Sequence, residues 1–213
     1  LRYAHCADYP VAEDPEFLMI QPLEAGTRGA LADALAAAAA ASGLHFSLTD
    51  FADTSAKIEY TGPLGRRSAA QPRIVLSIVA GQTRLEPARV PLIHPFSDSC
   101  AATVRAISLE EFAAERIARL AQTPRARDVF DLWFALTHAR ERIDAARTRA
   151  AAGEIAQAMH VTPPRASAPF SPAHRVALER TWDNALRRVP GHPAFAQVER
   201  DLIDELEGFD LDR

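Results

Sequence analysis

Lysine is nearly missing from this chain. Lys57 is the only one among 213 residues, so the basic side chains are otherwise arginines, a bias that, with the alanine richness, reads as genome composition rather than function. Cysteine is scarce as well. Cys6 and Cys100 stand far apart without a CxxC pair, which excludes a disulfide framework and a thiolate zinc site; both are expected as reduced thiols. Long hydrophobic runs are lacking: the longest, at residues 34–41, is mostly alanine and too weakly apolar for a membrane span. The opening LRYAHCADYP has no basic region followed by an apolar one, so no signal peptide is read there and a cytoplasmic location is expected. No histidine pair has metal-ligand spacing and no serine sits in a G-x-S-x-G context, which excludes a histidine-rich metal centre and a serine hydrolase. A net charge of −4 speaks against a protein that coats nucleic acid with its whole surface.

What is present is an ordinary globular composition, 48% hydrophobic and 24% charged, long enough for one large domain or two small ones. The first hundred residues alternate strand and helix signals. EFLMIQ is a short apolar run; ALADALAAAAAASG is a helix closed by Gly43; HFSLTD, SAKIEYTG and RIVLSIVAG read as three strands. Both faces of RIVLSIV are largely apolar, so it belongs inside a sheet, and TGPLGRRSAAQP before it supplies a hairpin loop. From Ser108 the period becomes helical. SLEE is a capping box, Thr123 with Pro124 reads as the start of the next helix, Ser171 with Pro172 as that of another, and Phe195, Val198, Leu202 and Leu206 line a final amphipathic helix. The expected architecture is α+β: a mixed sheet with flanking helices over 1–100, then a helical domain over 101–213.

The helix read from TPRARDVFDLWFAL carries unusual charge for one that buries Val129, Leu132 and Leu136. Arg127, Asp128 and Asp131 fall three and four residues apart and share a face, and pattern alone predicts an Arg127–Asp131 ion pair. Eight arginines between 116 and 149 make a local basic patch able to hold phosphates on an acidic protein.

The segments ISLEEFAAERIARL and RARDVFDLW resemble, in residues, spacing and order, the AbiEii-type nucleotidyltransferase toxins of bacterial abortive-infection and toxin–antitoxin systems. KIEYTGPLG resembles the strand and turn before the family's third catalytic strand, AEDPEF lies where the family reads SeDlDF, and LRYA resembles the residues after its opening glycine motif, of which no counterpart is found. The resemblance implies a nucleotidyltransferase-like mixed sheet with flanking helices and a helical domain. It implies transfer of a nucleotide from a nucleoside triphosphate to an acceptor, plausibly tRNA, with a cognate antitoxin as partner.

Carried over residue by residue, the paired acids fall on Asp14 and Glu16, which would hold Mg²⁺, with Asp128 as a further catalytic acid and Arg116, Arg127 and Asp131 on the nucleotide. The family's third carboxylate falls on Ser77, and Glu59 on the preceding strand is the acid that would stand in for it. Glu16 replaces an aspartate and Arg116 a lysine. These departures keep a second reading open, a catalytically degenerate relative acting as a binding or interaction module. A DNA-binding regulator has less in its favour, because no helix-turn-helix spacing stands out.

Overall fold

Strands form where β-branched residues cluster, and helices where apolar residues recur every three to four positions. The computed structural model describes residues 4–10, 16–19, 27–52, 55–61, 73–80, 83–94, 101–162, 164–209 and 211. Compactness divides the chain into two units: Glu13–Gln82, and a second made of Leu1–Ala12 together with Thr83–Arg213. Sequence alone suggested one boundary at residue 100; compactness draws two, grouping the first twelve residues and those from 83 onward with the helices.

The Glu13–Gln82 unit holds β1 (Glu16–Met19), α1 (Thr27–Ser42), β2 (His45–Ala52), β3 (Ser55–Thr61) and β4 (Arg73–Ala80). Its mixed sheet runs in the order β1-β4-β3-β2, with β1 parallel to β4 and the other pairs antiparallel. RIVLSIVA is thus an interior strand, as its two apolar faces required. The β3–β4 pairing gives the expected hairpin, whose loop residues 62–72 lie outside the described residues. α1 lies against β2 through Leu31, Leu35 and Ala39, one residue per turn. It ends where Gly43 adopts φ +68° and its N–H returns to the Ala39 carbonyl at 2.9 Å, a left-handed closure that glycine makes without a Cβ penalty.

The second unit contains a ribbon, β5 (Ala88–Pro91) against β6 (Thr103–Ala106), that the sequence reading left unassigned, and then α2 (Leu109–Gln122), α3 (Ala126–Ala139), α4 (Ala145–Ala158), α5 (Pro172–Ala185) and α6 (Phe195–Glu207). A single 3₁₀ turn, Arg140–Arg142, joins α3 to α4. The core is built on α3: Val129, Leu132, Ala135 and Leu136 have no exposed surface and meet Leu178 and Trp182 of α5 and Val198, Leu202 and Leu206 of α6. α2 packs on α3 and α4 through Phe112, Ala113, Ile117 and Leu120. Trp182 is fully interior and donates from Nε1 to the Pro193 carbonyl at 2.8 Å. Trp133 is only half buried, with its indole N–H on Asp201 at 2.8 Å.

Two caps differ from expectation. Thr123 does not start α3; it closes α2, donating its N–H to Arg119 at 3.2 Å, and the N-cap of α3 is Arg125, without a side-chain bond. The reason is Pro124, whose ring disfavours the α region for the residue before it, and Thr123 stands at φ −149°, ψ 79°. Ser108 and Glu111 form only half of a capping box. The serine hydroxyl accepts from the Glu111 N–H at 3.1 Å, while the Glu111 carboxylate turns to Arg84 and Leu85. Ser171 caps α5 as its sequence indicated, accepting from the His174 N–H at 3.2 Å.

Candidate functional site

The first two turns of α3 carry the site within the helical unit. Arg127 and Asp131, one turn apart, form the expected ion pair, Nε to Oδ1 at 3.0 Å, with side chains only 19% and 14% exposed. A third member, Tyr9, comes from the N-terminal segment and was missed in the sequence. Its phenol donates to the same Asp131 Oδ1 and accepts from Arg127 Nε at 3.2 Å. The Tyr9 ring is itself interior, edge-on to Phe134 at 5.1 Å and tilted against Phe130 at 6.4 Å, so the aromatic packing aims its hydroxyl.

Burial drives the electrostatics. It raises Asp131 above the usual carboxylate range, against the Tyr9 hydrogen bond and the charges of Arg127 and Arg116, which pull the other way. Burial also pushes the Tyr9 phenol far up, helped by the Asp131 charge, so Tyr9 stays a donor throughout the physiological range. Asp131 is therefore a partly desolvated carboxylate held by a phenol and by the Arg127 Nε, which positions the Arg127 side chain.

α2 contributes the other basic groups. Arg116 lies over the Phe112 ring at 4.0 Å and pairs through NH1 with Glu115 at 3.1 Å, yet its Nε is buried without a hydrogen-bond partner. A buried cationic N–H left unsatisfied costs free energy. Asp128 is 14% exposed and meets Arg119 at 3.8 Å, a loose contact to a half-exposed arginine. Arg116, Arg127, Asp128 and Asp131 thus gather around the α2–α3 packing.

The acidic pair is described differently. Asp14 lies outside the described residues, and Glu16 opens β1, where its backbone pairs in register with Ser77 on β4. The position carried over for a third acid is accordingly next to Glu16 across the strands. Glu59 does not share it. Its register partner is Arg73, four residues from Ser77, or about 13 Å along the strand.

A model of the nucleotidyl transferase AbiEii toxin family, a type IV toxin–antitoxin system, matches residues 20–201. The chain belongs to the AbiEii family. The matched stretch contains all four helical site residues and begins after Glu16. A similar solved structure is MenT4, a nucleotidyltransferase toxin from Mycobacterium tuberculosis, at 14% identity and TM-score 0.60, covering 98% of this chain and 72% of that one; such a likeness shows a shared fold. Nothing among the curated proteins matches. AbiEii toxins are nucleotidyltransferases, which generally use a divalent metal, act on nucleoside triphosphates and are paired with an antitoxin. Among the described residues no group of three or more His, Cys, Asp and Glu is placed to hold a metal, and no helix is long and apolar enough to cross a membrane.

Proposed function

We propose that this AbiEii chain transfers a nucleotide from a nucleoside triphosphate to an RNA acceptor, the end of tRNA, with Mg²⁺ as cofactor and an antitoxin protein as regulator. The observation that carries the reading is the buried Arg116 Nε, without a hydrogen-bond partner among the described residues, together with an Arg127 positioned by Asp131 and Tyr9. Two preset guanidiniums suit a triphosphate, because catalysis of phosphoryl transfer rests on positioning and charge neutralisation. In this reading Arg116 and Arg127 bind phosphate oxygens, Asp131 positions Arg127, and Asp128 serves as a further catalytic acid.

In this reading Asp14 and Glu16 are the oxygen ligands of a hard cation, and Ser77 stands opposite Glu16 in the strand register. A divalent cation on these residues would supply charge neutralisation at the transferring group. Ser77 in place of a carboxylate removes one negative charge from that set, and it is the residue that most favours the rival reading of a degenerate family member kept for binding.

The test is incubation with Mg²⁺, each labelled triphosphate in turn and total tRNA, using the parent chain, Asp14→Ala and Asp128→Ala. Label on RNA from the parent and from neither variant supports the transferase. No transfer, with no thermal shift on adding triphosphate, supports the binding module instead.

A further inference from the structure

Arg127 bonds to Asp131 and Tyr9, and Arg116 to Glu115; a second arrangement of arginines lies away from these ion pairs. On the ribbon of the helical unit, Arg89 of β5 and Arg105 of β6 stand directly opposite one another, and both are exposed. Cross-strand partners lie on one face with Cβ atoms about 4.5–5.5 Å apart, a separation at which two like charges repel. Neither guanidinium has an ion-pair or hydrogen-bond partner among the described residues. The pairs on either side are Val90 with Val104 and Ala88 with Ala106, so no carboxylate sits beside the arginines in the register. Glu86 precedes the strand at an odd separation from Arg89, on the opposite parity.

The register is not free to relieve this repulsion. Val90 of β5 and Val104 and Ala106 of β6 are half-buried, and a shift by one residue would expose them and bury the arginines. The fold thus holds two cations side by side on a solvent-facing ribbon, unpaired. An anion that accepts from both forks, or two successive anions on a polymer, relieves the repulsion, and arginine makes such contacts bidentately.

We propose that this ribbon is the docking surface for the phosphodiester backbone of the RNA acceptor, with Arg89 and Arg105 as its phosphate contacts. The choice of RNA rests on the transferase reading above; the anionic, repeating character of the partner rests on the ribbon itself.

The experiment is fluorescence anisotropy with a labelled tRNA transcript and the full chain at 50–200 mM NaCl, comparing the parent with Arg89→Ser/Arg105→Ser and Arg89→Lys/Arg105→Lys. The double serine variant is expected to bind at least tenfold more weakly at the lowest salt. Its slope of log affinity against log salt should be shallower by about 1.4–1.8, the loss of two phosphate contacts. The lysine variant keeps the slope, and triphosphate binding followed by thermal shift is the same in all three proteins. Circular dichroism and melting temperature show that the exposed substitutions leave the fold intact.

Equal affinity and slope in parent and serine variant overturn the proposal, as does a parent that binds no RNA. Duplex DNA bound more tightly than tRNA, or polyglutamate that displaces tRNA at equal charge concentration, overturns it in favour of another partner. RNA held through the ribbon by a parent that neither binds nor transfers nucleotide refutes the transferase and leaves the surface standing. Transfer with an unchanged KM for RNA in the serine variant does the reverse.

Discussion

Tyr9 and Asp131, 122 residues apart in the chain, share one hydrogen bond, in which the phenol donates to the carboxylate oxygen that also receives Arg127 Nε. Tyr9→Phe deletes the donor and keeps the ring against Phe130 and Phe134. Removing a hydrogen bond to a charged group costs about 1.5–3 kcal/mol. Urea denaturation at pH 7 should show that loss. Because burial already raises Asp131, losing the hydrogen bond raises it further. The deficit should therefore be full above the folded-state pKa and shrink as acid protonates the carboxylate. A variant as stable as the parent at pH 7 would show that the bond contributes nothing net.

Arg116 offers a test of charge against shape. Arg116→Lys restores the residue found in the resembling family motif and should retain nucleotide transfer, whereas Arg116→Met should lower it by about 10²–10³ if the group stabilises charge on the transferring phosphoryl. Steady-state transfer to tRNA measures both. Equal loss in the two variants would assign Arg116 to packing on Phe112 rather than to phosphate binding.

Glu111 is 1% exposed, and its carboxylate accepts from the Arg84 N–H at 2.9 and 3.1 Å and from the Leu85 N–H at 2.8 Å. Glu111→Ala strands those backbone donors and should cost about 2–4 kcal/mol by chemical denaturation, with faster hydrogen exchange at both amides. Slow exchange that persists in the variant would mean another acceptor takes over.

Much of this was legible beforehand, and the failures share a physical cause. Periodicity found β2, β3, β4, α1 and the helical core because each signal lies within a dozen residues. The Arg127–Asp131 pair was legible for the same reason, being one turn long. Tyr9 was not, since nothing local marks a tyrosine in ADYP as the partner of a residue 122 positions away. The β5–β6 ribbon escaped because its strands are four residues each and carry arginine and proline, which blur the alternation. The half-formed capping box shows the same limit: Ser108 acts locally as its sequence says, but Glu111 finds a better-placed pair of N–H groups from a segment 26–27 residues earlier.

His5 ties the Tyr9 segment to the rest of the helical unit, its Nε2 lying 2.8 Å from the Ile107 carbonyl. Burial holds its imidazole below the usual histidine value, with the Ile107 bond opposing. The folded state therefore binds the proton less readily than the unfolded chain. Stability from this site is complete above about pH 6.5 and falls as acid carries the protein toward the lower folded-state pKa. Thermal melts at pH 7.5 and 5.5 should show a larger drop for the parent than for His5→Gln, which has no such titration. The same drop in both would remove His5 as the cause.

The interruption of the helical unit by residues 13–82 has a consequence for synthesis. At about 5–20 residues per second, Tyr9 is made some 6–24 s before the ribosome reaches Asp131. During that interval the phenol has neither the carboxylate nor Arg127 to bind, and the whole sheet unit is translated in between. A nascent or prematurely terminated chain ending before α3 therefore lacks the clamp on Arg127 altogether, so the basic site matures only after the whole sheet unit has been made.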